Sequence, residues 1–354
     1  MDANKIIVIV PVYNGYKYIK RCINSILKQE ITGMNIVIVD DGSTDGSGTL
    51  LDEWEKKDSR IHVIHTNNQG VSAARNAGIR LAVEMSEEGY IHFVDIDDEL
   101  YLGAYSALHE KLRKLEIKPD IVVFGYTTNY IDMEGNSVRK EVTLPKNECL
   151  ILGNDIKNDY FEVYGIRTGL RNSVWNKLFS ISIAKEVVFN QSLKQAEDLY
   201  FNIDALGLAD SMYLDNNSYY QYNKSTEEKA YYDSDVQMAY DRNKQICERI
   251  ISFGINQDQA KDEYYHKVID TAYDYCMLMI RTKQKDRILL IEEALSKLSQ
   301  LDLPSNIKKL TPQQKLILLV MKLNNKYCQY YTLKLVRAII RIMKIISSSI
   351  NALN

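Results

Sequence analysis

No two of the five cysteines of this 354-residue chain, Cys22, Cys149, Cys247, Cys276 and Cys328, stand at a CxxC or other metal-ligand spacing, and their number is odd. That pattern predicts buried thiols in a reducing compartment. No stretch offers the roughly 18 uncharged apolar residues that a membrane-spanning helix needs, so any membrane contact is expected to be peripheral. The apolar run after Met1 is only about six residues long and lacks a small-residue cleavage site, which argues against a secretory signal. No GxGxxG follows the first strand-like run, which weighs against a dinucleotide oxidoreductase. His62, His65, His92, His109 and His266 show no metal spacing and no nucleophile partner, leaving a serine or cysteine hydrolase unsupported. Phenylalanine is scarce, 7 against 25 tyrosines, which reads as a compositional bias rather than as sugar-stacking surface.

Acidic residues are missing altogether after Asp302. The same stretch carries Lys308, Lys309, Lys315, Lys322, Lys326, Lys334, Arg337, Arg341 and Lys344, so the tail is +9 and the remainder −12 under a net charge of −3. With 45% hydrophobic and 26% charged residues, the composition is that of a soluble globular protein long enough for two domains.

What is present is an alternation. Strand-like runs at 5–10, 35–39, 61–65 and 90–94 are separated by helical patterns near 15–29, 46–57 and 70–86. A helix near 102–116 and a strand at 120–126 continue the series. This order predicts an α/β fold with a mostly parallel sheet flanked by helices. Beyond it, a hairpin is expected over 127–144, a short helical stretch at "SVWNKLF" (173–179), a helix at "AEDLYFNIDAL" (196–206) and a strand at 213–222. From about 228 the pattern is helical throughout, with breaks near Gly254, Pro304 and Pro312. The expected domains are therefore 1–227 and an all-α 228–354.

Ligands of such sheets bind beyond the carboxyl ends of the strands. Those ends read "PVYNG" (11–15), "DDGSTDGS" (40–47), "TNNQGVSAARNAG" (66–78) and "DIDDE" (95–99). Taken singly each has a plain alternative. The second suits a capped turn at a helix N-terminus, Arg75 an exposed helix face, and "DIDDE" a solvated acidic turn. In this order, however, the set resembles the nucleotide-sugar half of the family 2 glycosyltransferases, inverting enzymes with the GT-A fold, over roughly residues 5–222.

The resemblance implies a UDP-sugar donor. It implies that Tyr13 and Asp41 hold the uracil, with Pro11 and Val12 supplying backbone and shape and Asp40 sharing the task or capping the turn. A carboxylate can accept the uracil N3–H, and a tyrosine ring can lie on its face. Arg75 and Asn76 fall in the region that lies beside the diphosphate, which suits an arginine and a helix start. "DIDD" matches the DxD-type motif, so Asp97 is expected to bind Mn²⁺ or Mg²⁺, with Asp95 for ribose and metal support and Asp98 in a direct or supporting role. Glu99 fits the following helix better. The family's base is the aspartate of a "(G)ED" motif, which matches Asp198, with Glu197 positioning the acceptor or supporting the helix; Ala196 stands where glycine is often found. Trp175 faces the acceptor or fills core, and core packing is favoured.

The implied reaction is sugar transfer to a hydroxyl of a lipid-linked or growing glycan, as in capsule, teichoic acid or other surface-polysaccharide assembly. A protein-linked acceptor glycan and a non-catalytic nucleotide-sugar-binding protein are the alternatives. In "LKLVRAIIRIMKII" (333–346), Lys334, Arg337, Arg341 and Lys344 form a basic stripe beside an apolar face. Such a helix either lies in an anionic membrane interface or packs on the helical domain. The acid-free tail favours the membrane, and hence a cytoplasmic protein peripheral at the inner face. The tail carries no recognised nucleic-acid module, and the intervening helices could form a homo-oligomer interface. Deleting 330–354 is expected to lower co-sedimentation with anionic vesicles more than turnover of a short soluble acceptor; unchanged partitioning would refute the membrane helix.

Overall fold

The computed structural model describes residues 5–158, 170–193, 195–226, 236–281, 285–304, 307 and 310–351, with 340–351 described by backbone alone. The chain divides into two compact units, Met1–Glu228 and Lys229–Asn354.

The first unit is built on β1 (Ile6–Val12), β2 (Met34–Asp40), β3 (Ile61–His65) and β4 (Tyr90–Phe93), paired in parallel in the order β3-β2-β1-β4. β1, β2 and β4 are almost wholly buried, because a parallel sheet is covered on both faces by its crossover helices and must be apolar on both. Those crossovers are α1 (Tyr16–Leu27), α2 (Ser47–Lys57) and α3 (Val71–Met85). The chain runs outward from β1 to β3 and then returns to β4 on the other side of β1. The carboxyl ends of β1 and β4 thus flank a topological switch point, where α/β sheets bind ligands.

Beyond β4 the sheet becomes mixed. β6 (Ile121–Ile131) and β10 (Ser211–Ser225) run parallel to each other, and β10 is irregular between Asp215 and Tyr220. β7 (Ser137–Thr143) folds back on β6 as the expected hairpin, while β8 (Cys149–Leu152) and the two-residue β5 (Glu99–Leu100) pair antiparallel with β10. The gap between β4 and β6 is filled by β9 (Lys177–Ser180), antiparallel to both. Here the structure corrects the sequence reading, which took 173–179 as helical. Leu178 and Phe179 are adjacent and both fully buried, and only a strand sends consecutive side chains to opposite apolar faces.

The second unit is helical, as its periodicity requires, with helices Val236–Ser252, Gln257–Arg281, Arg287–Ser299, Pro312–Met321 and Lys326–Asn351. Val268, Ile269, Ala272, Cys276, Ile291, Leu295 and Ile317 are among the side chains of its core. Pro312 opens a helix whose Thr311 and Gln314 form a reciprocal capping box. On the last helix Leu333 is buried, whereas Tyr327, Tyr331, Leu335 and Ile339 are exposed at four-residue spacing. Lys334 is exposed beside them, and Arg337 donates to the Ile280 carbonyl. Arg341 and Lys344, the rest of the basic stripe, lie outside the described side chains. No described helix is long and apolar enough to cross a membrane. All five cysteines are free; Cys22, Cys247 and Cys276 are buried as expected, but Cys149 is only partly buried and Cys328 is exposed.

One helix contact positions the site more than any other. At Gly78, α3 approaches β1 so closely that an added Cβ would sit 2.4 Å from Ile9 Cγ2. Gly78→Ala is therefore expected to lose about 1–2 kcal/mol of stability in urea denaturation, overpacking outweighing a helix-propensity gain of about 1 kcal/mol.

Candidate active site

The ends of β1 and β2 are laced into one structure. Asn14 sits at φ 50, a left-handed backbone that asparagine tolerates, and its Oδ1 accepts from Thr44 N at 2.8 Å. Asn14 N donates to Ser43 Oγ, Gly15 N to Ser47 Oγ and Tyr16 N to Asp45 Oδ2, each at 3.0–3.1 Å. Asp41 N donates to the Val12 carbonyl at 2.8 Å, which joins the two strand ends directly. Pro11 and Val12 are buried in this seam, and Tyr13 is left 53% exposed at its mouth.

The two aspartates of the second loop divide their work. Asp40 is buried; its carboxylate accepts from Ser43 N at 3.0 Å and pairs with His65 Nδ1 at 2.9 Å. Burial raises its pKa, but the bonds from Ser43 and His65 outweigh it and hold the carboxyl below its usual range. His65 also meets Asp52 at 2.9 Å, and bonding to the Asp40 and Asp52 carboxylates raises its own pKa. Asp41 is turned towards the start of α3, accepting from Gly70 N (2.7 Å), Gln69 N (2.9 Å) and Thr66 Oγ1 (3.1 Å). A carboxylate offers about four acceptor positions, and these three bonds use most of them. Gly42 beside it has φ 73, and a Cβ there would meet Asn68 N at 2.8 Å.

At the end of β4 the acids separate by burial. Asp95 is 28% exposed in its side chain, and Asp97 is partly exposed. Asp98 is fully buried and turned into the fold, accepting from Asn223 N at 2.7 Å and from Tyr220 Oη at 2.8 Å. Burial, followed by the charges of Asp97 and Asp95, pushes its pKa well up. Of the direct and supporting roles expected for Asp98 at a metal, the direct one does not fit: both its oxygens are used to fasten the turn to β10.

The helix Glu197–Leu208 brings in the remaining acids. Its N-cap, Ala196, has φ 62 and ψ 18, a left-handed conformation that glycine adopts more readily. Asp198 is 17% exposed in its side chain, and burial, opposed by Arg75 and reinforced by Asp95 and Glu197, pushes its carboxyl up to about 6.

Arg75 ties these acids together. It extends from α3 into the cleft floor, 4% exposed, and bonds Asp198 Oδ1 at 2.7 Å and Asp95 Oδ1 at 3.0 Å, with Glu197 at 3.7 Å. Burial opposes its charge, but Asp198, Asp95 and Glu197 outweigh that and raise its pKa. Expected beside a diphosphate, its guanidinium is instead engaged by carboxylates from the two ends of the site. Asn76 is likewise corrected. It is buried, and its amide exchanges two 2.8 Å bonds with the Phe189 backbone, satisfying a buried loop rather than facing a ligand.

Several residues that position this site escaped sequence reading. Tyr220 and Asn223 reach Asp98 across 122 and 125 positions, and no spacing rule signals such a contact. Trp175, by contrast, is buried as the favoured core reading has it, stacked on Tyr220 and Tyr222 at centroid distances of 4.6 and 5.2 Å. His92 is a buried neutral histidine, lowered by burial to about 4.

A mixed sheet with the β3-β2-β1-β4 half, acidic residues after β4 and a carboxylate on a later helix are the features of the GT-A fold. The Glycosyl transferase family 2 model matches residues 7–179, and the chain carries a domain of that family there. Among curated proteins it is similar to Glycosyltransferase GlyA of Streptococcus pneumoniae, 33% identical over 219 residues, covering 62% of this chain and 30% of that protein. It is also similar to the putative teichuronic acid biosynthesis glycosyltransferase TuaG of Bacillus subtilis, 41% identical over 93 residues, 26% of this chain and 35% of that one. The chain thus spans about a third of the length of these two relatives. A crystal structure of S. aureus TarS 1-349 in complex with UDP-GlcNAc shares the fold, with a TM-score of 0.62, 21% identity, and coverage of 94% of this chain and 92% of that one.

Removing the cation while leaving the three carboxylates gives a direct test of the cluster. Arg75→Met is expected to lose about 3 kcal/mol in urea denaturation at pH 7, as for other broken buried ion pairs. The deficit should shrink towards pH 5, where protonation relieves the carboxylate repulsion.

Proposed function

We propose that this chain is an inverting glycosyltransferase that moves a sugar from a UDP-sugar to a hydroxyl of a lipid-linked or growing cell-surface glycan, of the capsule or teichoic acid kind. The observation that carries this reading is the Arg75 cluster: one guanidinium joins Asp95, at the end of β4, to Asp198, on the helix across the cleft. Donor-binding and base-bearing elements are thereby held in one rigid arrangement. The UDP-GlcNAc held by TarS and the teichuronic acid role given to TuaG support the donor and pathway classes.

In this reading the uracil lies between the exposed Tyr13 ring and the seam of the two loops, and its N3–H uses the remaining acceptor position of Asp41. Asp95 and Asp97 face the ribose and diphosphate. Among the described residues no three His, Cys, Asp or Glu side chains form a metal cluster. With Asp98 turned away, the protein offers the one or two hard oxygen ligands that Mg²⁺ or Mn²⁺ takes when substrate phosphates complete its shell, so the residues fit an ion that arrives with the donor. Bound there by Asp97 with support from Asp95, a divalent ion supplies charge neutralisation for the departing diphosphate.

The chain's own chemistry is centred on Asp198. Its carboxylate takes the proton of the acceptor hydroxyl as that oxygen forms its bond to the anomeric carbon. The bond from the anomeric carbon to the phosphate oxygen breaks on the opposite face, and UDP leaves with the electron pair, which inverts the centre. Glu197 and Arg75 set the position of the base. A pKa of about 6 leaves Asp198 mostly deprotonated, yet basic enough to accept a proton, at neutral pH. We further propose that the chain is peripheral at the inner membrane face, a reading supported by the exposed Tyr331, Leu335 and Ile339 beside Lys334.

Since protonated Asp198 has no capacity as a base, the rate of UDP release should fall about tenfold per pH unit below about 6. Asp198→Asn should keep UDP affinity, measured by calorimetry, and abolish transfer at every pH. Loss of UDP binding in that variant would remove Asp198 from the role of base. Chelation of divalent ions should stop turnover and be reversed by Mn²⁺ or Mg²⁺.

A further inference from the structure

Asp198 receives a second bond besides that from Arg75: Val174 N donates to its Oδ2 at 3.3 Å. Val174 lies in a turn with no ladder partner, so its N–H stays in place only if other groups hold the turn. Three side chains from three elements do so. Asn202, one helical turn beyond Asp198, donates from Nδ2 to the Arg171 carbonyl at 2.8 Å and the Ser173 carbonyl at 3.1 Å. His92 of β4 donates from Nε2 to the Trp175 carbonyl at 2.7 Å, which leaves Nδ1 to accept from Tyr105 Oη at 2.7 Å. The third is Lys177, the first residue of β9, only 1% exposed. Its ammonium turns back over the turn and donates to the Leu170 carbonyl (2.5 Å), the Ser173 carbonyl (2.6 Å) and Asn176 Oδ1 (2.9 Å).

A buried ammonium is a costly way to hold a turn, and apolar residues or a neutral amide would suffice for packing alone. Burial draws Lys177 down to about 7, and the charge of Asp198 opposes that descent. The cation thus sits where the base carboxylate is felt. We propose that Lys177 is a positioning residue for the base: by gathering the Leu170 and Ser173 carbonyls it fixes the Val174 N–H on Asp198 and sets the carboxylate's orientation and basicity. This rests on Asp198 acting as the base.

The test is Lys177→Met, assayed for UDP release from a UDP-sugar with acceptor across pH, beside wild type and Asp198→Asn. The expected result is unchanged UDP affinity, kcat lowered between about tenfold and a hundredfold, and an acid limb moved upward by about half a unit or more, since the carboxylate has lost a donor and a nearby cation. An acid limb that stays in place, or a loss of UDP affinity in place of a loss in kcat, overturns the proposal. A wild type that releases no UDP, or an active Asp198→Asn, overturns instead the assignment of function on which it rests. If Lys177→Met fails to fold, Asn202→Ala releases the same turn without deleting a buried charge; it should shift the acid limb in the same direction, and an unmoved limb refutes the role of the turn.

Discussion

A buried guanidinium is tolerable only where anions surround it, and Arg75 meets that condition by drawing acids from two distant parts of the chain. Asp95 belongs to the loop after β4 and Asp198 to a helix more than a hundred residues later. Removed from the cleft, the guanidinium would leave three carboxylates confined together with no counter-charge. The close passage of α3 over β1 at Gly78 determines where Arg75 can reach, since Arg75 stands one helical turn earlier on the same helix. The position of Asp198 is in this sense a consequence of helix packing against the sheet.

The acidic turn after β4 depends on a second constraint. Asp95, Asp97 and Asp98 cannot all stay close and ionised in a partly buried loop. The fold separates them by burying Asp98 against Tyr220 and Asn223 and leaving Asp95 and Asp97 to the cleft. Asp98 thereby becomes a structural pin between β4 and β10, and Tyr220 serves twice, donating to Asp98 and accepting from Asp95 N at 3.1 Å. The Tyr220 ring also stacks on Trp175, in the segment that carries Val174 to Asp198. The placement of the acidic turn and that of Asp198 therefore meet in a single buried patch.

Much of the first unit was legible because its signals are local. Alternating apolar runs and helical periods located β1 to β4 and α1 to α3 within a few residues, and the motifs marked the loops at the strand ends. Identity of residue type was a weaker guide to role. Asn76 and Asp98 looked like ligand-facing groups by their place in the motifs, yet both satisfy buried backbone or side-chain partners. Arg75 looked like a phosphate contact and is held by carboxylates instead. The segment 173–179 read as helical because its apolar spacing is ambiguous over so few residues, and the empty slot between β4 and β6 made it a strand.

The sequence by itself determined the α/β order, the helical second half, the acid-free tail and the loops in which the candidate site lies. Each of these follows from neighbours in the chain, through strand and helix periods and the chemistry of turns. Only the tertiary structure decided which acids share the cleft, which one is buried, and how Lys177, Asn202 and His92 hold the turn beside Asp198. Such contacts join residues tens to more than a hundred positions apart. Burial and charge pairing, which choose among otherwise similar carboxylates, exist only once those distant segments pack.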